Sequence, residues 1–215
     1  MLVAVIGWEE HTLRKAQSSE IRQIIADLRQ WSLSRDSLTR VRLQTELEAR
    51  IDRFNAPEAL VSAIPPDLFD NFLGTKALSH WGEKDRGAAL AWLSTQVNPP
   101  EYRLSVLLDQ WIVTAPVAAE NYIRDLPAGP WRNRVLAHLA TDAIQHGFPQ
   151  RAISLIERMP PGATTKTLLN SAVREWARRD EESLHHWIES RPDDHRRAEL
   201  SMEMRQALAE HSDNE

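Results

Sequence analysis

Trp176-Ala177-Arg178-Arg179-Asp180-Glu181-Glu182-Ser183-Leu184-His185-His186-Trp187-Ile188-Glu189-Ser190-Arg191-Pro192 carries the marks by which the fold of this chain is read. A tryptophan stands on an apolar helix face, and an aspartate four residues later is placed to cap a new helix. A Trp-Ile pair follows eleven residues after that tryptophan, and a proline closes the stretch. The same marks recur upstream. Large apolar pairs fall at Leu60-Val61, Trp92-Leu93, Tyr122-Ile123, Leu155-Ile156 and Trp187-Ile188, at spacings of 32, 30, 33 and 32 residues. Four residues after each pair stands Pro65, Val97, Pro127, Pro160 or Pro192, so proline holds four of five equivalent sites. A period of about 32 residues lies in the range of two-helix repeats.

The linkers that follow are equally regular: Pro65-Pro66-Asp67, Asn98-Pro99-Pro100, Pro127-Ala128-Gly129-Pro130, Pro160-Pro161-Gly162 and Pro192-Asp193-Asp194. Proline cannot continue a helix interior and turns its predecessor away from helical angles, so each linker separates a short helix from a longer one. The longer helix carries Trp81, Trp111, Ile144 or Trp176 eleven residues before the next pair. Leu104, Leu107 and Leu108 before Trp111, and Leu169, Ala172 and Val173 before Trp176, make one buried face. Five of the eight tryptophans thus fall on recurring anchors. Junctions are marked by Asp85, Pro116, Pro149 and Asp180, since Asp caps a helix and Pro suits its first turn. In the last helix the matching positions are Leu208, Arg205, Met204 and Ser201, a more polar face expected of a terminal capping repeat.

The pattern resembles the α-solenoid repeats of the tetratricopeptide class. It is closer still to degenerate repeats with Trp, an Ala pair and Pro-Gly turns found in uncharacterised bacterial proteins. The resemblance covers about residues 56–210 and is carried by Ala88-Ala89-Leu90-Ala91-Trp92-Leu93, Ala118-Ala119 and Trp176-Ala177-Arg178-Arg179-Asp180. The Leu-Gly that follows the consensus Trp is missing, and the periods are shorter than the usual ~34 residues. The resemblance implies a peptide-binding groove. The expected fold is all-α: an α-solenoid of about five antiparallel two-helix repeats, coiled right-handedly, with an N-terminal helical hairpin.

Ahead of the repeats, residues 20–54 lack Gly and Pro. Ile21, Ile24, Ile25, Leu28 and Trp31 make one helical stripe, and Leu38, Val41, Leu47, Ile51 and Phe54 make a second. Ser34 and Asp36 offer the break and the new cap between them. Residues 1–19 form a separate segment, 20–54 the hairpin, and 55–215 the repeats with a C-terminal cap. Leu2-Val3-Ala4-Val5-Ile6-Gly7-Trp8 is too short for a spanning helix of about 20 residues. With charge following at Glu9, Glu10, Arg14 and Lys15, it has the form of the end of a membrane anchor if residues precede Met1. The expected location is therefore cytoplasmic for the sequence as written, and envelope-tethered if the anchor is incomplete.

Charged residues make up 27% of the chain and hydrophobic ones 42%, the balance of a folded domain. The formal net charge of −5, with no basic third, argues against a nucleic-acid partner. Cysteine is absent, which removes disulfides, thiolate nucleophiles and Cys-based zinc sites. His138, Asp142 and His146 stand at i, i+4 and i+8 and form a weak candidate metal set. The bland reading, a solvated face with His-carboxylate pairs, is preferred, on the expectation that this face points outward. His185-His186 and His195 invite the same thought, but neighbouring helical residues diverge by about 100°, and pairing of Glu182 with His186 and His185 with Glu189 suffices. Gly87, Gly129, Gly147 and Gly162 are isolated and form no phosphate loop. The carboxylate pairs Asp193-Asp194 and Glu181-Glu182 suit helix starts. No cofactor and no catalytic residue is expected.

The function expected is a non-catalytic scaffold presenting a helical-repeat surface to a protein or peptide partner, with Arg103, Arg132 and Arg134 as candidate contacts. The alternative is a helical accessory domain of a cell-envelope or polymer-processing enzyme system.

Overall fold

A computed structural model describes residues 2–192 and 195–212, with side chains over 14–192, 197–206 and 209. It is all-helical, and no strand occurs among the described residues. The chain divides into two compact units, residues 1–107 and 108–215. No helix among the described residues is long and apolar enough to cross a membrane.

The first unit opens with α1 (Leu2–Leu33) and α2 (Ser37–Arg53). The expected boundary after residue 19 falls inside α1, one continuous helix; the side chains of Leu2 to Trp8 lie outside the described residues. Asp36 caps α2 as its sequence suggests, accepting a hydrogen bond from the Thr39 amide at 2.8 Å. Ile24, Leu28 and Trp31 of α1 are buried, and so are Leu43, Leu47 and Ile51 of α2, with Phe54 just beyond. Leu38 and Val41, expected on that face, are 80% and 64% exposed instead. The buried face of α2 is a row of four-residue steps starting from Leu43, and Leu38 and Val41 lie off it.

Short and longer helices then follow, but the longer helix expected to carry Trp111 is divided before it at Gln110, which takes the left-handed conformation (φ 61°), into two short ones. In the first unit the helices are α3 (Pro57–Ala63), α4 (Pro66–Phe69) and α5 (Phe72–Ser94), and α6 (Glu101–Leu108) runs to its end. The second unit holds α7 (Trp111–Thr114), α8 (Pro116–Asp125), α9 (Pro130–Gln145), α10 (Pro149–Ile156), α11 (Ala163–Arg179), α12 (Glu181–Glu189) and α13 (His195–Ser212). Five non-helical residues punctuate this run: Ala56 (φ −123°, ψ 65°), Asp85 (φ −151°, ψ 85°), Ala115 (φ −140°, ψ 60°), Phe148 (φ −113°, ψ 60°) and Asp180 (φ −160°, ψ 81°). They stand 29, 30, 33 and 32 residues apart and share one backbone conformation.

Two chemistries produce that break. Pro57, Pro116 and Pro149 occupy the first helical position after their junctions, where the missing N–H leaves no helical bond unmade. Asp85 and Asp180 instead cap with their side chains, accepting from the Ala88 and Ser183 amides at 2.9 Å. Across three junctions an aromatic pair eleven residues apart is in contact. Ring centroids are 5.8 Å apart for Trp81 and Trp92, 5.6 Å for Trp111 and Tyr122, and 5.2 Å for Trp176 and Trp187, all tilted. Such pairs add about 0.5–1.5 kcal/mol beyond the area they bury. At the fourth junction Ile144 and Leu155 take these places.

Where proline is absent, at Val97, the turn is made differently. Val97 is 92% exposed and Asn98 takes the left-handed conformation (φ 48°) that Asn tolerates better than most side chains. At the end of α9, Gly147 (φ +78°) donates to the Ile144 carbonyl and Phe148 to that of Ala143, the paired bonds that terminate a helix at a left-handed residue.

In the second unit α9 packs against α10 and α11, and α11 against α12 and α13. Leu139, Ala143, Ile153, Ile156, Leu169, Val173, Trp176, Leu184 and Ile188 are buried there. The last helix departs from expectation. It buries Leu200, Glu203 and Met204, while Ser201 is half-buried and Arg205 exposed; Leu208 lies outside the described side chains. Its inner face is thus turned by about one residue, because Leu200 rather than Ser201 meets α11.

Candidate binding cleft

The three arginines singled out by sequence sit in different surroundings. Arg103 lies over the Phe69 ring at 4.2 Å and holds Asp70 Oδ1 with Nη2 at 2.5 Å. Tyr102 donates its hydroxyl to the same carboxylate and accepts from Arg103 Nε at 3.1 Å. This closed triad ties the end of α4 to the start of α6. The hydrogen bonds from Tyr102 and then Arg103 hold the Asp70 carboxyl below its usual range, against the small opposing effect of burial. Arg132 is half-buried, and its Nε is buried without a hydrogen-bond partner. The Arg134 guanidinium lies 6.0 Å from the Trp131 ring centre.

His138, Asp142 and His146 are not brought together. His138 Nε2 lies 2.9 Å from Asp109 Oδ1, and His146 Nδ1 lies 2.9 Å from the Asp142 carbonyl oxygen and 3.2 Å from its Oδ1. Asp142 is only 4% exposed, with Oδ2 buried and unpartnered, so the expectation that this face points outward is corrected there. Each histidine finds a nearer carboxylate than the shared centre a metal would need. On α12 the outcome is the reverse. Ligand atoms of His185, His186 and Glu189 lie within 4.8 Å of one another, because the side chains swing toward each other despite the divergence of their Cβ directions. All three are exposed, and His185 Nδ1 is 3.4 Å from Glu189 Oε2. His195, Asp193 and Asp194 lie outside the described side chains.

One feature of the second unit is marked by no sequence motif. Between the end of α10, the Pro161-Gly162 turn, the first half of α11 and the face of α13 opens a cleft of about 590 Å³. Ile156, Leu169 and Met159 give it apolar walls, and Met202, 57% exposed, stands at its edge. Its floor includes Thr165, whose hydroxyl donates to the Pro160 carbonyl at 2.7 Å. Arg191 lines it too, but is committed: Nη2 is 2.5 Å from Glu157 Oε1, and the guanidinium lies over the Trp187 ring at 4.5 Å. Lys166 stands exposed at the rim.

Glu203 is the residue that sequence reading missed. It lines the cleft, is 8% exposed, and has no hydrogen-bond or ion-pair partner among the described residues. Its position was open to inference from Leu200, since a glutamate three residues after an inward-facing leucine shares that leucine's face. The matching of Ser201 to the face of Trp176 hid it.

No family model, curated protein or solved structure matches the chain. What the cleft does is therefore argued from its own residues.

Proposed function

We propose that the chain is a non-catalytic scaffold of tetratricopeptide-like helical repeats that receives a peptide segment of a protein partner. The recurrence of one junction conformation at five sites supports the repeat reading. In that reading two helices of each repeat pair antiparallel across a turn. The cleft of α10, α11 and α13 carries the functional reading. Its volume lies in the range of about 300–1,000 Å³ that accommodates side-chain-sized ligands. Methionine at wall and edge suits a surface that adapts to a partner, because its unbranched thioether repacks easily. The groove between successive long helices is also where a helical-repeat scaffold offers side chains to a partner.

Photo-crosslinking from inside the cleft tests this. A benzophenone amino acid at Met202 is expected to trap a discrete protein adduct in a lysate of the native host. The same probe at Val117, which is 72% exposed on α8, serves as the control. Identical adducts from both positions, or none from Met202, would remove the cleft as the partner site.

A further inference from the structure

Glu203 is 8% exposed and makes no hydrogen bond or ion pair among the described residues. A carboxylate so covered is ordinarily paired or hydrogen-bonded, and an unpartnered one depends on the water that reaches it through its opening. Of the two cations that line the cleft, Arg191 is held by Glu157 and Trp187, and Lys166 stands exposed and reaches neither Glu203 nor another carboxylate among the described residues. The surface Glu203 keeps opens on a cleft whose lining includes apolar Ile156, Leu169 and Met202 beside charged Lys166, Arg191 and Glu199. Such a site leaves one carboxylate open to a cation that enters with an apolar stem or apolar neighbours.

Resting on the peptide-binding reading above, we propose that the cleft recognises a basic side chain of the partner peptide, an arginine flanked by apolar residues, with Glu203 as its buried acceptor. A guanidinium suits the role because it gives up hydration more readily than an ammonium and presents paired donors to one carboxylate. Its methylene stem would lie along Leu169 and Met202, as arginine stems lie along apolar surface elsewhere. The partner's charge thereby completes what folding alone leaves open at Glu203.

The test uses the full chain labelled with ¹³C-methyl methionine, whose four methionines include Met159 and Met202 at the cleft. The probes are the tripeptide Ac-Leu-Arg-Leu-NH₂ and its citrulline counterpart, which has the same shape without the charge. The arginine peptide is expected to shift the Met159 and Met202 signals in a saturable way. Citrulline should weaken binding by about tenfold or more, the size of one charge-assisted hydrogen bond. Glu203→Gln should weaken the arginine peptide to the same degree and leave the citrulline peptide unchanged. Its urea midpoint should stay level, because the substitution keeps the side chain's shape and breaks no hydrogen bond or ion pair among the described residues.

Equal binding of both peptides by the unaltered protein would overturn the cation assignment while leaving the cleft as a peptide site. If neither peptide moved Met159 or Met202 at millimolar concentration, the peptide reading would fall with it. A concentration-dependent dimer, abolished by Glu203→Gln in the absence of peptide, would identify a second copy of the chain as the occupant and overturn the proposal.

Discussion

Phe148 and Asp180 hold the same place at successive junctions of the second unit and the same extended, non-helical region of backbone angles, yet their surroundings differ at every point. At Phe148 the preceding helix ends on Gly147 in the left-handed conformation, Pro149 opens the next helix, and Ile144 and Leu155 stand on either side. At Asp180 the preceding residue is Arg179, still helical; the aspartate caps Ser183, and Trp176 meets Trp187 at 5.2 Å. The two junctions also touch. A Cβ on Gly147 would stand 2.4 Å from the Arg179 guanidinium carbon, so the arginine of one junction occupies the space that the glycine of the other leaves empty. The backbone break is the conserved demand within the molecule, and the side chains that meet it are interchangeable in kind.

The comparison predicts where stability resides. Trp176 is 3% exposed and bears on Trp187, so Trp176→Ala should destabilise by about 3–5 kcal/mol in urea unfolding. Ile144, at the matching place, is half-buried, and Ile144→Ala should lose only about 1–2 kcal/mol. Equal losses would mean that the aromatic pair adds nothing over the aliphatic one. The contrast between the junctions would then be one of composition alone.

Next in size is Gly147→Ala. The substitution forces a Cβ into left-handed backbone and against the Arg179 guanidinium, which Glu175 holds at 2.5 Å. A loss of about 1–2 kcal/mol is expected from the backbone, with a further part recovered when Arg179→Ala is added. Strict additivity of the two substitutions in a double-mutant cycle would show that the junctions do not communicate through this contact.

How far sequence could see follows the same division. Junctions were legible because Pro and Asp act through local backbone chemistry: Pro116, Pro149 and Asp180 announce a helix start whatever packs around them. Trp81, Trp111 and Trp176 were legible for a related reason, since their eleven-residue spacing to the next pair crosses a single turn. Which face of a helix turns inward was less so. Leu38 and Val41 read as core by spacing but lie off the face that α1 and α5 cover, and Asp142 reads as outward but is enclosed. The cleft was hidden most deeply, because it needs α10, α11 and α13 placed together and the register of α13 fixed by Leu200. Only the inward turn of Leu200, three residues before it, distinguishes Glu203 from the exposed glutamates of other helices.

The smallest effects test whether the two routes to the junction are equivalent. Asp180→Ala removes the acceptor for the Ser183 amide and should destabilise by about 0.5–2 kcal/mol, with Asp180→Asn keeping most of the cap. Pro149→Ala should lose less, about 0.4–1 kcal/mol. Alanine accepts helical angles at a first-turn position, and the N–H it restores needs no helical partner there, so the folded junction keeps its contacts. The loss arises in the unfolded chain, which gains conformations that proline had forbidden. That origin leaves the surface exposed on unfolding unchanged, so the urea slope should hold while the midpoint falls. A Pro149→Ala loss exceeding that of Asp180→Ala would locate proline's contribution in the folded break itself. The two junctions would then be alike in geometry but not in how the geometry is held.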